Sequence, residues 1–119
     1  MNIWGNLALC LTLGACTTGG PAAVRIERFA FRPSAVHATS GNPVTFTNRD
    51  GAAHTATSGV PEVQGVPGVT DTVPARPDGR FDLALPARDA SASVTLDETG
   101  TYPYFCSIHA GMSGTIVIG

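Results

Sequence analysis

The sequence predicts an all-β sandwich of about seven to eight short strands. Three observations carry that prediction. No segment keeps apolar residues at helical spacing, so no amphipathic helix is expected. Short runs rich in Val, Ile, Thr, Phe and Tyr recur along the chain, some with the alternating polarity of half-buried strands. Clusters of Gly, Pro, Asn and Asp stand between them as turn signals. The 119 residues, 43% hydrophobic and 13% charged, suit one modest core and exclude a disordered chain.

Each element follows in order. Residues 24–31, "VRIERFAF", set Val24 and Ile26 on one face with Arg28 in line, then shift phase to Phe29 and Phe31. That shift predicts a bulge or a twist. "PSAVHAT" (33–39) is a second extended piece, and "SGNP" (40–43) is a turn. "VTFTN" (44–48) is β-branched and aromatic, "RDG" turns, and "AAHTATS" (52–58) extends again. Residues 59–80 hold four Pro and four Gly. Proline removes ladder donors, so this stretch is expected as a long irregular loop crossing from one sheet to the other. "RFDLALP" (80–86), "SASVTLD" (91–97), "TYPYFC" (101–106) and "GTIVIG" (114–119) are the remaining strands. Tyr102 and Tyr104 are expected in the core, and Asp97 and Glu98 in a solvated turn.

The N-terminal stretch reads differently. "IWGNLALCLTLGAC" (3–16) is apolar but too short to span a bilayer as an ordinary helix. Residues 1–15 fit an export signal, although "MNIWG" carries no Lys or Arg. "LGAC" (13–16) resembles the bacterial lipobox, which would make Cys16 the lipidated N-terminus of the mature chain. Residues 16–23 then form a flexible tether and 24–119 the folded domain. The expected location is the periplasm, or the outer face of a bacterial membrane through the lipid on Cys16. Cys106 is left as the one cysteine of the domain, a thiol that must be hidden, paired between chains or given to a metal. All seven basic residues are arginine, the formal net charge is −2, and no basic run exists. A nucleic-acid partner held by phosphate neutralisation is therefore excluded.

The chemistry is concentrated in "CSIHAGM" (106–112). Cys106, His109 and Met112 stand three residues apart in a loop that Gly111 and Gly114 leave free to bend. Each alone has a bland reading, since a buried cysteine or a methionine is ordinarily core filling. Together, thiolate, imidazole and thioether are the soft donors of a blue-copper site, which needs a second imidazole to complete a His₂Cys plane with a weak axial Met. The other histidines are His37 and His54. His37 precedes a turn in no ligand context and reads as a surface or packing residue; His54 follows "NRDGAA" and opens an extended segment.

These residues carry a resemblance. "DETGTYPYFCSIHAGMSGTIVIG" (97–119) and "FRPSAVHATSGNPVTFTNRDGAAHTAT" (31–57) resemble the ligand regions of plastocyanins, pseudoazurins and amicyanins, the cupredoxins. The Cys-x-x-His-x-x-Met spacing is similar to that of amicyanin. The resemblance implies a Greek-key β-sandwich, one Cu(I)/Cu(II) ion per chain held by His54, Cys106, His109 and Met112, and one-electron transfer between redox proteins. It implies a monomer docking transiently through small and apolar residues around His109, namely Gly51, Ala52, Ala53, Ile108, Ala110 and Gly111. The alternative is a copper carrier or chaperone of the cell envelope using the same donors. An enzyme is not expected, because a further copper site would need several more histidines and only His37 is left. The sequence departs from the family pattern at Thr55, where an asparagine usually ties the two ligand loops. Ser107 is the residue positioned to bond across instead. Phe105 stands where plastocyanins often show a surface tyrosine, so an exposed ring is expected there.

Overall fold

The computed structural model describes residues 22–69 and 71–119. The expected export signal and the lipid site Cys16 lie outside them. Nine strands are present among the described residues: β1 (Ala22–Glu27), β2 (Ala30–Arg32), β3 (Ala35–Ala38), β4 (Pro43–Asn48), β5 (His54–Val60), β6 (Arg76–Leu85), β7 (Ser91–Thr95), β8 (Gly100–Phe105) and β9 (Ser113–Ile118). They form a four-stranded sheet, β2-β1-β4-β7, and a five-stranded sheet, β3-β9-β8-β5-β6. Strand β1 begins at Ala22, two residues before the expected domain boundary.

Alternation sets the inner faces. Val24 and Ile26 of β1 and Val44 and Phe46 of β4 point inward, and all four are essentially inaccessible. Ile116, Ile118 and Tyr104 meet them from the other sheet. Each such burial contributes roughly 1.5–3 kcal/mol. The Tyr104 ring sits edge-on to Phe31 (4.7 Å between centroids) and Phe46 (5.1 Å), the geometry aromatic quadrupoles favour.

The sequence expectation for residues 24–31 is corrected. The phase shift marks a hairpin turn between two strands, with Arg28 and Phe29 at φ 54° and 57°, so Arg28 does not continue the inner face. The 59–80 expectation is also corrected. Among the described residues of this stretch, 61–69 and 71–75 lie outside the strands, and the segment joins β5 to β6, antiparallel neighbours in one sheet. Gly59 pairs with Pro77 and Val60 with Arg76, beyond a register shift after Thr57. Pro77 is tolerated because β6 is the edge strand. The flap is pinned near its base by a bridge between Val63 and Val73.

The base of β6 is tied by polar groups. The buried Ser58 hydroxyl donates to Asp78 Oδ1 (2.6 Å) and accepts the Phe81 N–H (2.8 Å). The Ser58 hydroxyl, then the Arg80 N–H and the Arg80 guanidinium, hold the Asp78 carboxyl below its ordinary value of 3.8 against the opposing effect of burial. A depressed carboxyl stabilises the fold fully above that ordinary value and ceases to do so as pH falls through the depressed one. Thermal unfolding of the apoprotein should therefore lose stability below about pH 4, and Asp78→Asn should flatten that loss.

Candidate metal centre

The strand registers gather four connections at one end of the sandwich: the 28–29 turn and the 49–53, 86–90 and 106–112 loops. His54 opens β5 opposite Leu85, and Cys106 directly follows β8. The 49–53 loop is shaped by Asn48, which is wholly buried. Its amide donates to the carbonyls of Ala52 (2.8 Å) and Leu85 (3.0 Å), and its Oδ1 accepts the Asp50 N–H. That side chain fixes the path by which the chain reaches His54.

Three donors converge. Cys106 Sγ lies 3.8 Å from Nδ1 of both His54 and His109, and the three donor atoms are all within 4.8 Å of one another. A thiolate about 2.3 Å and an imidazole about 2.0 Å from a common centre, 120° apart, lie about 3.7 Å from each other. The two sulfur–nitrogen spacings therefore match those of a trigonal metal. Met112 closes the loop, its carbonyl accepting the Cys106 N–H (3.1 Å), and its side chain is 4% exposed. His37 is elsewhere, exposed on β3 opposite Val117.

Residues the sequence reading missed hold this cluster. Asp50 Oδ2 accepts from His54 Nε2 (2.9 Å), leaving Nδ1 facing the thiol and fixing the tautomer a metal ligand needs. The same carboxylate accepts the N–H groups of Arg28 and Phe29 (2.8 and 2.9 Å). Burial alone would raise the Asp50 carboxyl, but the Phe29 and Arg28 N–H groups and the His54 imidazole outweigh it and hold it below the usual range. The turn so anchored puts Phe29 edge-on to both imidazoles, 4.9 Å from each ring centroid. In the sequence the only trace of Phe29 is the break in alternation; nothing there connects it to Asp50.

The two ligand loops are stitched together as the sequence suggested. The Ser107 N–H donates to Thr55 Oγ1 (2.8 Å), and the two hydroxyls lie 3.0 Å apart. Thr55→Val should remove both ties and weaken copper(II) binding about tenfold, as read by competition with a chelator; Thr55→Ser should restore it. Phe105 is 4% exposed, correcting the surface position expected for it. Its strand mate Tyr104 alternates to the opposite face, and the 61–75 flap with the 106–113 loop walls a groove of about 520 Å³ beside it. Ile108 is 52% exposed, Gly51, Ala53, Ala110 and Gly111 are exposed, and Ala52 and His109 are half-buried.

A two-sheet sandwich holding one thiol and two imidazoles at its end, with a buried methionine closing the loop, defines a mononuclear soft-metal protein. The chain belongs to the plastocyanin/azurin family of copper binding proteins, whose family model matches residues 20–119. It is 37% identical over 91 residues to plastocyanin from Sambucus nigra, across 75% of this chain and 87% of that protein. It is 36% identical over 96 residues to plastocyanin from Scenedesmus fuscus, across 74% and 85%. In fold it is similar to a reduced Cu(I) form of an amicyanin variant, with a TM-score of 0.62 and 24% identity over 92% of this chain and 89% of that one. The fold is thus the cupredoxin sandwich, and the cofactor of the family is copper.

Proposed function

We propose that the protein is a one-electron carrier using a single type 1 copper, with His54, Cys106, His109 and Met112 as the ligands. The observation that carries the reading is the 3.8 Å spacing of Cys106 Sγ from both imidazole nitrogens on a frame built by strands. Bound copper supplies a Cu(I)/Cu(II) couple. Cys106 serves as the thiolate, its proton released on metal binding. Asp50 and the sheet hold His54, and the Thr55–Ser107 tie holds the start of the ligand loop, so little has to move between oxidation states. Burial of Cys106 and Met112 keeps water from the thiolate. His109, half-buried among exposed small and apolar residues, is the port through which redox partners exchange electrons by brief docking.

Titration of the apoprotein with copper(II), followed by visible absorption, tests this. An intense thiolate-to-copper band saturating at one copper per chain, with a reversible potential, is expected. Absence of the band would remove Cys106 from the ligand set. We further propose that residues 1–15 direct export, that Cys16 carries a lipid ahead of a short tether, and that the domain works as a monomer in the periplasm or at the membrane face. Incorporation of labelled fatty acid that Cys16→Ala abolishes would support the anchor.

A further inference from the structure

The charges are sorted about the metal centre. Arg28 stands in the turn beside Phe29, Arg49 and Arg88 flank the 49–53 loop, and Arg25 and Arg32 face each other just below the turn. Arg88 Nη1 donates to the Arg49 carbonyl (2.7 Å), and its other terminal nitrogen would lie 3.3 Å from a Cβ placed at Gly51. The hairpin side of this end holds five of the seven arginines and three of the nine acids. Those acids are engaged: Glu27 with Arg25 (2.8 Å), Asp89 with Arg49 (2.7 Å), and Asp50 with the turn and His54. The surplus is two positive charges. The other two arginines and six acids give a surplus of four negative charges. Glu62 lies on the flap across the ligand loop, Asp71 further along the flap, Asp78 and Asp82 on β6, and Asp97 and Glu98 in the turn at the far end.

A net-negative chain therefore turns a positive, arginine-lined side toward its half-buried His109, with Phe29 (49% exposed) and Ile108 (52%) as the apolar centre. We propose that this arc is a docking surface for a redox protein whose electron-exchange site is rimmed by carboxylates. The inference rests on the electron-transfer reading for the partner's class and on charge complementarity for its chemistry. Arginine guanidinium forks suit bidentate pairing with carboxylates, and opposed potentials steer and orient an encounter more than they tighten it. The flap acids repel the same rim, so the partner is held on the hairpin side of the ligand loop.

Two measurements on the full chain separate the parts. The first does not depend on electron transfer: line broadening of backbone amides by hexacyanochromate(III), a redox-inert paramagnetic trianion, before and after copper loading. Broadening centred on 28–32, 49–51 and 87–89, lost in high salt and in Arg28→Glu/Arg88→Glu, is expected. Uniform broadening, or broadening indifferent to those changes, overturns the surface. The second is stopped-flow oxidation of the reduced protein by hexacyanoferrate(III). One electron passes, copper goes from (I) to (II) and the iron complex from (III) to (II), with no bond or proton changed. The rate should fall as salt rises, despite the net −2 charge, and fall about tenfold in the double variant, while Glu98→Arg at the far end changes it little. A rate that rises with salt overturns the proposal. Mapped broadening with no electron transfer at all would instead sink the carrier reading and, with it, the redox partner. Sedimentation with phosphatidylglycerol vesicles that the double variant abolishes would assign the arginines to a lipid surface and overturn the protein partner.

Discussion

Cys106→Ser should abolish the intense visible band and weaken copper(II) binding by more than about 100-fold, beyond the range that loss of an outer hydrogen bond produces. The thiol lies 3.8 Å from a ring nitrogen of each imidazole, and the charge-transfer band requires sulfur. The fold should survive, since serine occupies slightly less space at a site closed by backbone bonding between Cys106 and Met112. Circular dichroism of the apoprotein should be unchanged while the colour is lost. If the variant stays intensely blue, the assignment of Cys106 is wrong.

Gly114→Ala should be the most damaging single-methyl change near the site, destabilising the apoprotein by about 3 kcal/mol or more. An added Cβ would lie 2.4 Å from the Tyr104 hydroxyl oxygen, 2.5 Å from its Cζ and 3.0 Å from the Ser34 carbonyl. Tyr104 cannot retreat, because Phe31 and Phe46 hold its ring edge-on. Its hydroxyl has no hydrogen-bond partner among the described residues, and burial pushes its pKa well up. Tyr104→Phe should therefore be neutral or stabilising by about 1 kcal/mol, since an unsatisfied buried hydroxyl is a cost. Chemical denaturation of both variants checks the pair. A Gly114→Ala protein as stable as its parent would mean the core yields where it is drawn as rigid.

Local chemistry was legible in the sequence and through-space chemistry was not. Cys106, His109 and Met112 are close in the chain, so their spacing announces a common centre. His54 is 52 residues from Cys106 and needed the resemblance to be chosen over His37. Asp50 and Phe29 were invisible because their roles depend on a turn whose N–H groups meet a carboxylate 21 and 22 residues away. The strands were legible from β-branched and aromatic runs. The 59–80 stretch misled because its prolines read as loop chemistry, whereas Pro77 sits in an edge strand that needs no donor on its open side. Arg28 misled in the opposite sense, fitting an alternating pattern that a turn interrupts.

The parallel pairing of β1 with β4 and of β3 with β9 has a kinetic consequence. Ala35 meets Thr115 and Ala38 meets Ile118, so the sheet that carries Cys106 is complete only when distant parts of the chain have found each other. Topologies dominated by such pairings fold on the millisecond-to-second scale rather than in microseconds. For that interval the thiol is neither buried nor bound to metal, and an oxidant or another chain can reach it. Slower docking of β9 would lengthen the interval in which that sulfur stays within reach.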